Sequence, residues 1–158
     1  MTIQGIEDDL GWRLGVLFRA YLRAADAATA GIPGDHRGRQ LLAVAAREEP
    51  RGQSALAQRL GIDTTLLTYL LDALTEAGLV ERRPGPGDRR IVATARGREL
   101  LAEADHRMAL AEDQVLSGLG DADRATLRAL LGRLATGLHA ADPVDDPCLM
   151  MSEIGSHS

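Results

Sequence analysis

The middle of the chain holds the pattern that most restricts its fold, which is a pair of short helical segments separated by a tight turn. Helical patterns over 55–60 and 64–77 are joined by Gly61-Ile62-Asp63. Glycine is favoured just past the end of a helix, and aspartate is favoured as the cap of the next one. Two helices joined in this way predict a helix-turn-helix, whose short turn commonly contains glycine.

A hairpin pattern follows the second of these helices directly. Two strand-like runs, over 79–83 and 89–93, flank the loop Pro84-Gly85-Pro86-Gly87-Asp88. Proline and glycine restrict such a loop to turn conformations, so the segment predicts a small β-hairpin. A hairpin placed directly after a helix-turn-helix is the winged form of that motif.

Apolar stripes at both ends of the chain predict further helices outside this central region. A helix is expected over 9–30 and another over 36–48, the second capped by Asp35, while Asp121 is a candidate cap for the last helix. The terminal stripes recur at intervals of three and four residues, as helices that pack on a partner do. Their members are Leu10, Leu14, Leu17 and Tyr21 near the start, and Leu127, Leu131, Leu134 and Leu138 near the end.

Aromatic residues make up only 3% of the chain, so a core must be built from leucine, alanine and valine. That composition favours helices over a β-sandwich. The predicted fold is therefore mainly α, with a small β-hairpin wing.

Charge is distributed unevenly along the chain. The formal net charge is −5, yet residues 51–98 carry eight arginines against five acids, a net of +3 that leaves −8 for the remainder. Clustered arginines neutralise nucleic-acid phosphates and release counterions, which supplies most sequence-independent affinity. The basic segment coincides with the helix-turn-helix and hairpin, so a phosphate-binding surface is expected there.

Other classes of protein find little support. The single cysteine, Cys148, cannot form an intrachain disulfide, and the N-terminus has neither the basic nor the apolar region of a secretion signal. No apolar run approaches the ~18 residues that span a bilayer. A soluble, cytoplasmic protein without membrane association is expected. No catalytic or nucleotide-binding motif is found, so neither enzyme activity nor a cofactor is expected.

One group of acidic and histidine side chains contains residue types that bind metal ions. Glu103, Asp105 and His106 are close in sequence, but they face different sides of a helix and have no second histidine nearby. They are interpreted as a solvated helix face.

Four segments taken together carry a resemblance to one family. They are ALAQRLGID at 55–63, LLDALTEAGLVERR at 70–83, DRR at 88–90 and TARGR at 94–98. In this order the chain resembles the multiple-antibiotic-resistance regulator (MarR) family of bacterial winged-helix repressors over about residues 8–140. The resemblance implies a homodimer that sets two winged domains on successive major grooves of a pseudo-palindromic operator in double-stranded DNA. It also implies that a small-molecule effector or an oxidant weakens DNA binding.

The same resemblance divides the chain into four parts. An N-terminal dimerisation helix is expected over 1–34 and a winged helix-turn-helix DNA-binding domain over 35–98. C-terminal dimerisation helices are expected over 99–141, followed by a flexible tail over 142–158.

The second helix of a helix-turn-helix enters the major groove with its N-terminal residues toward the base edges. Its polar positions are therefore predicted to face DNA, together with the start of the preceding helix, which Ser54 is expected to cap. These positions are Thr64, Thr65, Thr68 and Tyr69, whereas the side chains predicted to pack inward are those of Leu67, Leu70, Leu71 and Leu74. In the alternative interpretation, Thr64 and Thr65 are merely the first residues of a helix.

The wing offers a second set of DNA-binding candidates. Asp88 lies two residues before Arg90, and alternate strand positions share a face, so the carboxylate is placed to brace the guanidinium for the narrow minor groove. The family's Asp-x-Arg wing matches these residues, and Arg89 lies between them. The alternative interpretation is a surface ion pair worth ~0–1 kcal/mol.

The aromatic residues of the first helix are candidates for an effector site. Trp12, Phe18 and Tyr21 lie where the family builds part of its effector cleft, and Arg13 and His36 could supply polar groups. Such side chains suit an aromatic, anionic ligand. The alternative is that the aromatic residues belong to the dimer core. Oxidant sensing is disfavoured, because the family's oxidant sensors carry a cysteine on an early helix. This chain has no cysteine there, and its single cysteine is Cys148.

The sequence as a whole therefore predicts a homodimeric DNA-binding transcriptional regulator. It is expected to repress a neighbouring gene until a small-molecule effector, for example an aromatic compound, relieves the repression. The alternative is a winged-helix dimer that serves as a protein-interaction module without binding DNA.

Overall fold

The computed structural model describes residues 5–85 and 89–141. Within these ranges the chain forms a short 3-10 helix (Ile6–Asp8), six α-helices and one antiparallel hairpin, which confirms the predicted fold class. The helices are α1 (Leu10–Ala28), α2 (Asp35–Arg47), α3 (Gln53–Leu60), α4 (Thr64–Glu76), α5 (Ala95–Val115) and α6 (Asp121–Ala141), and the strands are β1 (Val80–Arg83) and β2 (Arg90–Ala93).

The turn between α3 and α4 forms as its residues predict. Gly61 ends α3 in the left-handed conformation with φ 65°, and Asp63 caps α4 by accepting a hydrogen bond of 2.8 Å from the backbone N–H of Leu66. Thr94 caps α5 in the same way, because its hydroxyl accepts from the Gly97 N–H at 3.0 Å. Both caps satisfy backbone donors that the first turn of a helix leaves without partners.

The other three predicted caps are wrong by one or two positions. Helix α2 begins at Asp35, after Gly34 with φ 84°, and α3 begins at Gln53, after Gly52 with φ 92°. Ser54 is therefore inside α3, and Asp121 is the first residue of α6. The chain turns sharply before α2 and α3, and glycine adopts a positive φ without the steric cost that a side chain carries.

The core unites α2, α3, α4, the hairpin and the first part of α5. The inward positions predicted for α4 are confirmed, since all four leucines are buried: Leu67, Leu70, Leu71 and Leu74. At the edge of this core α5 crosses the start of β1 so closely that a Cβ at Gly97 would clash with the carbonyl oxygen of Leu79. Glycine is thus required there for close packing rather than for its φ angle.

The hairpin has a further pairing at its loop end that the sequence does not indicate. Strands β1 and β2 pair in register from Val80 with Ala93 to Arg83 with Arg90. Arg51, which precedes α3, adds a bridge to Arg90, and the Ile91 N–H donates to the carbonyl oxygen of Pro50 at 3.0 Å. The connection between α2 and α3 is therefore part of the wing.

The terminal helices leave much apolar surface exposed. Helix α1 packs on α5 through a small cluster of Ala25, Ala28 and Met108, with Tyr21 against it. Helix α6 contributes no buried residue, and four of its leucines are exposed: Leu130, Leu131, Leu134 and Leu138. Among the residues that the structure describes, no helix has both the length and the apolar character needed to cross a membrane.

Candidate nucleic-acid interface

The outer face of α4 presents the polar side chains that the sequence predicts for it. Thr64, Thr65, Thr68 and Tyr69 are all exposed, and Tyr69 keeps 70% of its surface accessible. Because the leucines on the opposite face are anchored in the core and Asp63 fixes the first turn, this face is rigidly held. Such rigidity limits the entropy lost when a surface binds a partner.

The hydroxyl of Thr68 is already engaged within the fold. It donates to the carbonyl oxygen of Thr64 at 2.8 Å, and Nε2 of Gln53 on α3 lies 3.4 Å from the Thr68 hydroxyl oxygen. A threonine hydroxyl has one proton, so toward a ligand Thr68 offers acceptor lone pairs and its methyl group rather than a donor. Gln53, which sequence reasoning missed, joins the N-terminal end of α3 to α4.

Ser54 lies beside Gln53 in the first turn of α3, and its side chain is exposed. It does not cap the helix, but it remains on the solvent side near the Gln53 and Thr68 pair. The first turn of a helix presents backbone N–H groups that favour anions, so an exposed hydroxyl there suits a phosphate oxygen.

The wing carries Arg89 and Arg90, both exposed. Nη1 of Arg90 lies 3.6 Å from a carboxylate oxygen of Glu49, a residue that sequence reasoning missed. Asp88, the predicted brace of Arg90, lies outside the described residues. Glu49 is 41 positions away along the chain, so no local pattern could have indicated this pair.

The fold also changes the charge balance of the basic segment. Glu48 and Glu49 lie just before residue 51, yet both contact its arginines. Glu48 receives two hydrogen bonds from Nε of Arg59 at 3.0 and 3.1 Å, and Glu49 lies 3.8 Å from Nη2 of Arg98. Arg59, Arg90 and Arg98 are thus paired with carboxylates from outside the basic segment, so the fold neutralises part of its charge.

Arginines without a carboxylate partner are therefore fewer than the sequence indicates. Arg59, Arg83, Arg90 and Arg98 each have such a partner. Those without an ion pair to any described residue are Arg51, Arg82, Arg89 and Arg96, all exposed. Arg51 pairs with Arg90 beside the wing loop, Arg82 is on β1 and Arg89 is in the loop, so the wing offers three cations that no described carboxylate neutralises.

The structure brings only part of the candidate effector residues together. The rings of Phe18 and Tyr21 stack with centroids 6.4 Å apart and an interplanar angle of 18°. His36 is on α2, where its Nδ1 lies 2.6 Å from a carboxylate oxygen of Asp26. Trp12 is near the start of α1, about 13 Å along the helix axis from Tyr21 and about half a turn around it. The aromatic residues are thus distributed along α1 rather than gathered in one closed pocket.

Tyr21 lies at the junction of α1 and α5. Burial raises the pKa of its phenol above 10.0, the nearby Glu112 carboxylate raises that pKa further, and Arg39 partly opposes the change. The neutral phenol is therefore the form that the fold favours.

The interpretation of Asp105 as part of a solvated face is wrong. One of its carboxylate oxygens accepts from Nε and Nη2 of Arg39 at 2.9 and 2.6 Å, and the other accepts from Nη2 of Arg47 at 2.8 Å. Only 29% of the Asp105 side chain is exposed. This carboxylate ties α5 to α2, and thus an end helix to the winged unit.

Glu103 and His106 are exposed, and Glu103 lies 3.9 Å from Nη2 of Arg107 one turn along α5. Within residues 5–85 and 89–141, no group of three histidine, cysteine, aspartate or glutamate side chains is placed to hold a metal ion.

Comparisons with known proteins bear on this arrangement. A family model described as MarR family matches residues 31–91. A putative transcriptional regulatory protein for the hcr operon of Thauera aromatica is 31% identical over 120 residues, which cover 74% of this chain and 70% of that protein. The chain belongs to the MarR family.

Solved structures agree with this membership in a family of transcriptional regulators. A MarR family transcriptional regulator from Rhodococcus sp. RHA1 is 29% identical with a TM-score of 0.74, over 84% of this chain and 97% of that one. CouR from Rhodococcus jostii RHA1, solved with p-coumaroyl-CoA bound, is also 29% identical with a TM-score of 0.71, over 84% of this chain and 95% of its own.

Proposed function

We propose that this MarR family protein binds double-stranded DNA as a homodimer and represses a neighbouring gene. The observation that carries the proposal is the rigid polar face of α4, formed by Thr64, Thr65, Thr68 and Tyr69 and accompanied by the exposed arginines of the wing. A helix held in this way fits the major groove, where threonine methyls suit the thymine methyl and hydroxyls accept from base amino groups. Ser54, Arg89 and Arg90 are proposed as further contacts to the DNA backbone and minor groove, with Asp88 as the support of Arg90.

The apolar faces of the end helices support the homodimer. Helix α6 exposes Leu131, Leu134 and Leu138, and α1 exposes Leu10, Leu14 and Leu17. Several exposed leucines on one helix face are typical of an interaction site in a folded protein. We assign 1–34 and 99–141 to dimerisation, 35–98 to DNA binding and 142–158 to a tail, so that pairing of the end helices holds two copies of α4 at a fixed separation.

A small-molecule effector completes the proposal. CouR, the regulator solved with p-coumaroyl-CoA, makes an aromatic ligand a reasonable class to test. The stacked rings of Phe18 and Tyr21 are proposed to line the site, together with His36 on α2 and with Trp12 farther along α1. A ligand shifts DNA affinity only if it binds the incompetent arrangement of the two winged domains better than the competent one.

A mobility-shift assay tests DNA binding. The probes are the intergenic DNA upstream of the protein's own gene and a scrambled duplex of equal length. Thr68→Ala and Tyr69→Ala are expected to weaken binding to the genuine site more than to the scrambled one, by about tenfold per lost base contact. Equal losses of affinity for both probes would indicate that these side chains contact phosphates rather than bases. If the wild type bound neither probe, the proposal would be contradicted.

A protein-interaction module is the second candidate, because Tyr69 is a large exposed side chain in the middle of the α4 face and half of the arginines in residues 51–98 are paired with carboxylates. The same assay separates the two functions, since an interaction module binds neither probe at low salt.

The effector proposal has its own test. Trp12 is the only tryptophan, so its fluorescence reports ligands near α1 during a titration with phenolic acids and p-coumaroyl-CoA. Quenching by one of these compounds that Tyr21→Ala abolishes is expected. If no compound changed the fluorescence, the result would favour the interpretation that the aromatic residues belong to the dimer core.

A further inference from the structure

Glu49 occupies an unusual place beside the loop end of the wing. It follows the end of α2, and its backbone has φ 46°, a left-handed conformation that residues with a side chain rarely adopt. Its carboxylate lies between two guanidinium groups, 3.6 Å from Nη1 of Arg90 and 3.8 Å from Nη2 of Arg98. One negative charge is therefore shared by two arginines from different elements.

The surroundings fix this arrangement from both sides. Arg98 is anchored by a hydrogen bond of 3.0 Å from its Nη1 to the carbonyl oxygen of Ala46, near the C-terminal end of α2. The backbone of Arg90 is held by its bridge to Arg51, and the next N–H, from Ile91, donates to Pro50. Glu49 is the residue before Pro50, so the bridge that positions the Arg90 backbone also brings Glu49 beside it.

The Arg90 pair is loose enough to be exchanged. Its separation of 3.6 Å exceeds the 2.7–2.9 Å typical of charge-assisted hydrogen bonds, and both side chains are about half exposed. A DNA phosphate approaching Arg90 would compete with the Glu49 carboxylate and would also be repelled by it. Arg51, on the neighbouring strand position, has no ion pair among the described residues and meets no such competition.

We propose that Glu49 is a positioning residue that holds the Arg90 side chain against the connection between α2 and α3 and weakens its contact with DNA phosphate. This inference rests on the proposed DNA binding. In this arrangement Arg90 contacts a phosphate only when the duplex lies close enough to displace the Glu49 carboxylate. Sequence-independent binding to DNA is therefore weakened. The discrimination between the operator and other DNA sequences then depends more on the α4 face.

Charge-neutral variants of Glu49 test the proposal, with a neighbouring residue as the control. Glu49→Gln removes the charge and keeps the side-chain length, and Glu49→Asn removes the charge with a residue that tolerates the left-handed backbone. Glu48→Gln removes the same charge one position earlier, but it releases Arg59 instead of Arg90. Thermal unfolding of each variant verifies that it is folded.

The readout is affinity for a scrambled 24-base-pair duplex, measured by fluorescence anisotropy between about 50 and 200 mM salt. For both Glu49 variants the plot of log affinity against log salt is expected to steepen by about 0.9, the value for one additional phosphate contact. At about 0.1 M salt this corresponds to roughly threefold to tenfold tighter binding. Glu48→Gln is expected to leave the slope unchanged.

Arg90→Ala completes the cycle. In the Glu49→Gln background, Arg90→Ala should return the slope of log affinity against log salt to the wild-type value. In the wild type, the same substitution should change this slope by only a fraction of about 0.9. Equal slopes for the Glu49 and Glu48 variants would overturn the inference while DNA binding stands. Absence of duplex binding by the wild type at about 50 mM salt would defeat the proposed function and this inference with it.

Discussion

Among single residues, Asp63 has the clearest effect on the proposed DNA-binding face. Its carboxylate caps α4 through the Leu66 N–H at 2.8 Å, one turn before Thr68. Asp63→Ala is expected to lower the free energy of unfolding by about 1 kcal/mol, because the first turn of α4 loses its cap. Urea denaturation followed by circular dichroism measures this change.

Asp63→Asn is the matched control, since asparagine caps helices about as well as aspartate. Its stability should therefore lie near that of the wild type. An alanine variant as stable as the asparagine variant would show that the hydrogen bond contributes nothing.

Between elements, Asp105 joins α5 to α2 through three hydrogen bonds. Loss of the charge leaves Arg39 and Arg47 without their partner. Hydrogen bonds to charged groups contribute about 1.5–3 kcal/mol in general, and partial exposure reduces that value by screening, so Asp105→Asn is expected to cost about 1–2 kcal/mol. Chemical denaturation measures the loss.

Glu103→Gln provides the control within the same helix. The pair of Glu103 with Arg107 spans one turn on an exposed face, so its removal is expected to cost less than about 0.5 kcal/mol. If the two variants lost the same amount, Asp105 would be an ordinary surface charge and α5 would not be tied to α2 through it.

For the whole molecule, the decisive property is the exposed apolar face of α6. In the proposed homodimer this face is buried, so a charge placed on it must be desolvated. Leu131→Glu is expected to convert the dimer into monomers at micromolar concentration, measured by sedimentation equilibrium. Thr136→Glu is the control, because five residues of helix place Thr136 on the side of α6 away from Leu131, and it should leave the dimer intact.

Two results would contradict the assembly. A wild-type protein that sediments as a monomer would remove the basis for a fixed spacing of the two α4 helices. A Leu131→Glu variant that stays dimeric would place the interface elsewhere on the surface.

Local patterns in the sequence determined most of the architecture. Helical periodicity, the Gly61 to Asp63 turn and the glycine-rich hairpin loop act over a few residues, so α3, α4 and the wing could be predicted in order. The inward leucines of α4 followed from the same periodicity. The caps of α2 and α3 could not be predicted in this way. The backbone turns sharply just before each helix and requires a positive φ there, and only the path of the whole chain imposes that turn.

Tertiary structure alone decided the charge partners of the proposed site. Arg90 meets Glu49 across 41 positions, and Asp105 meets Arg39 across 66. Such pairs depend on which elements pack together, because periodicity and capping carry no information beyond a few turns of helix. The sequence by itself thus determined where arginines are available, and the packing of α2 against the hairpin and α5 determined which of them a carboxylate holds and which can meet a phosphate directly.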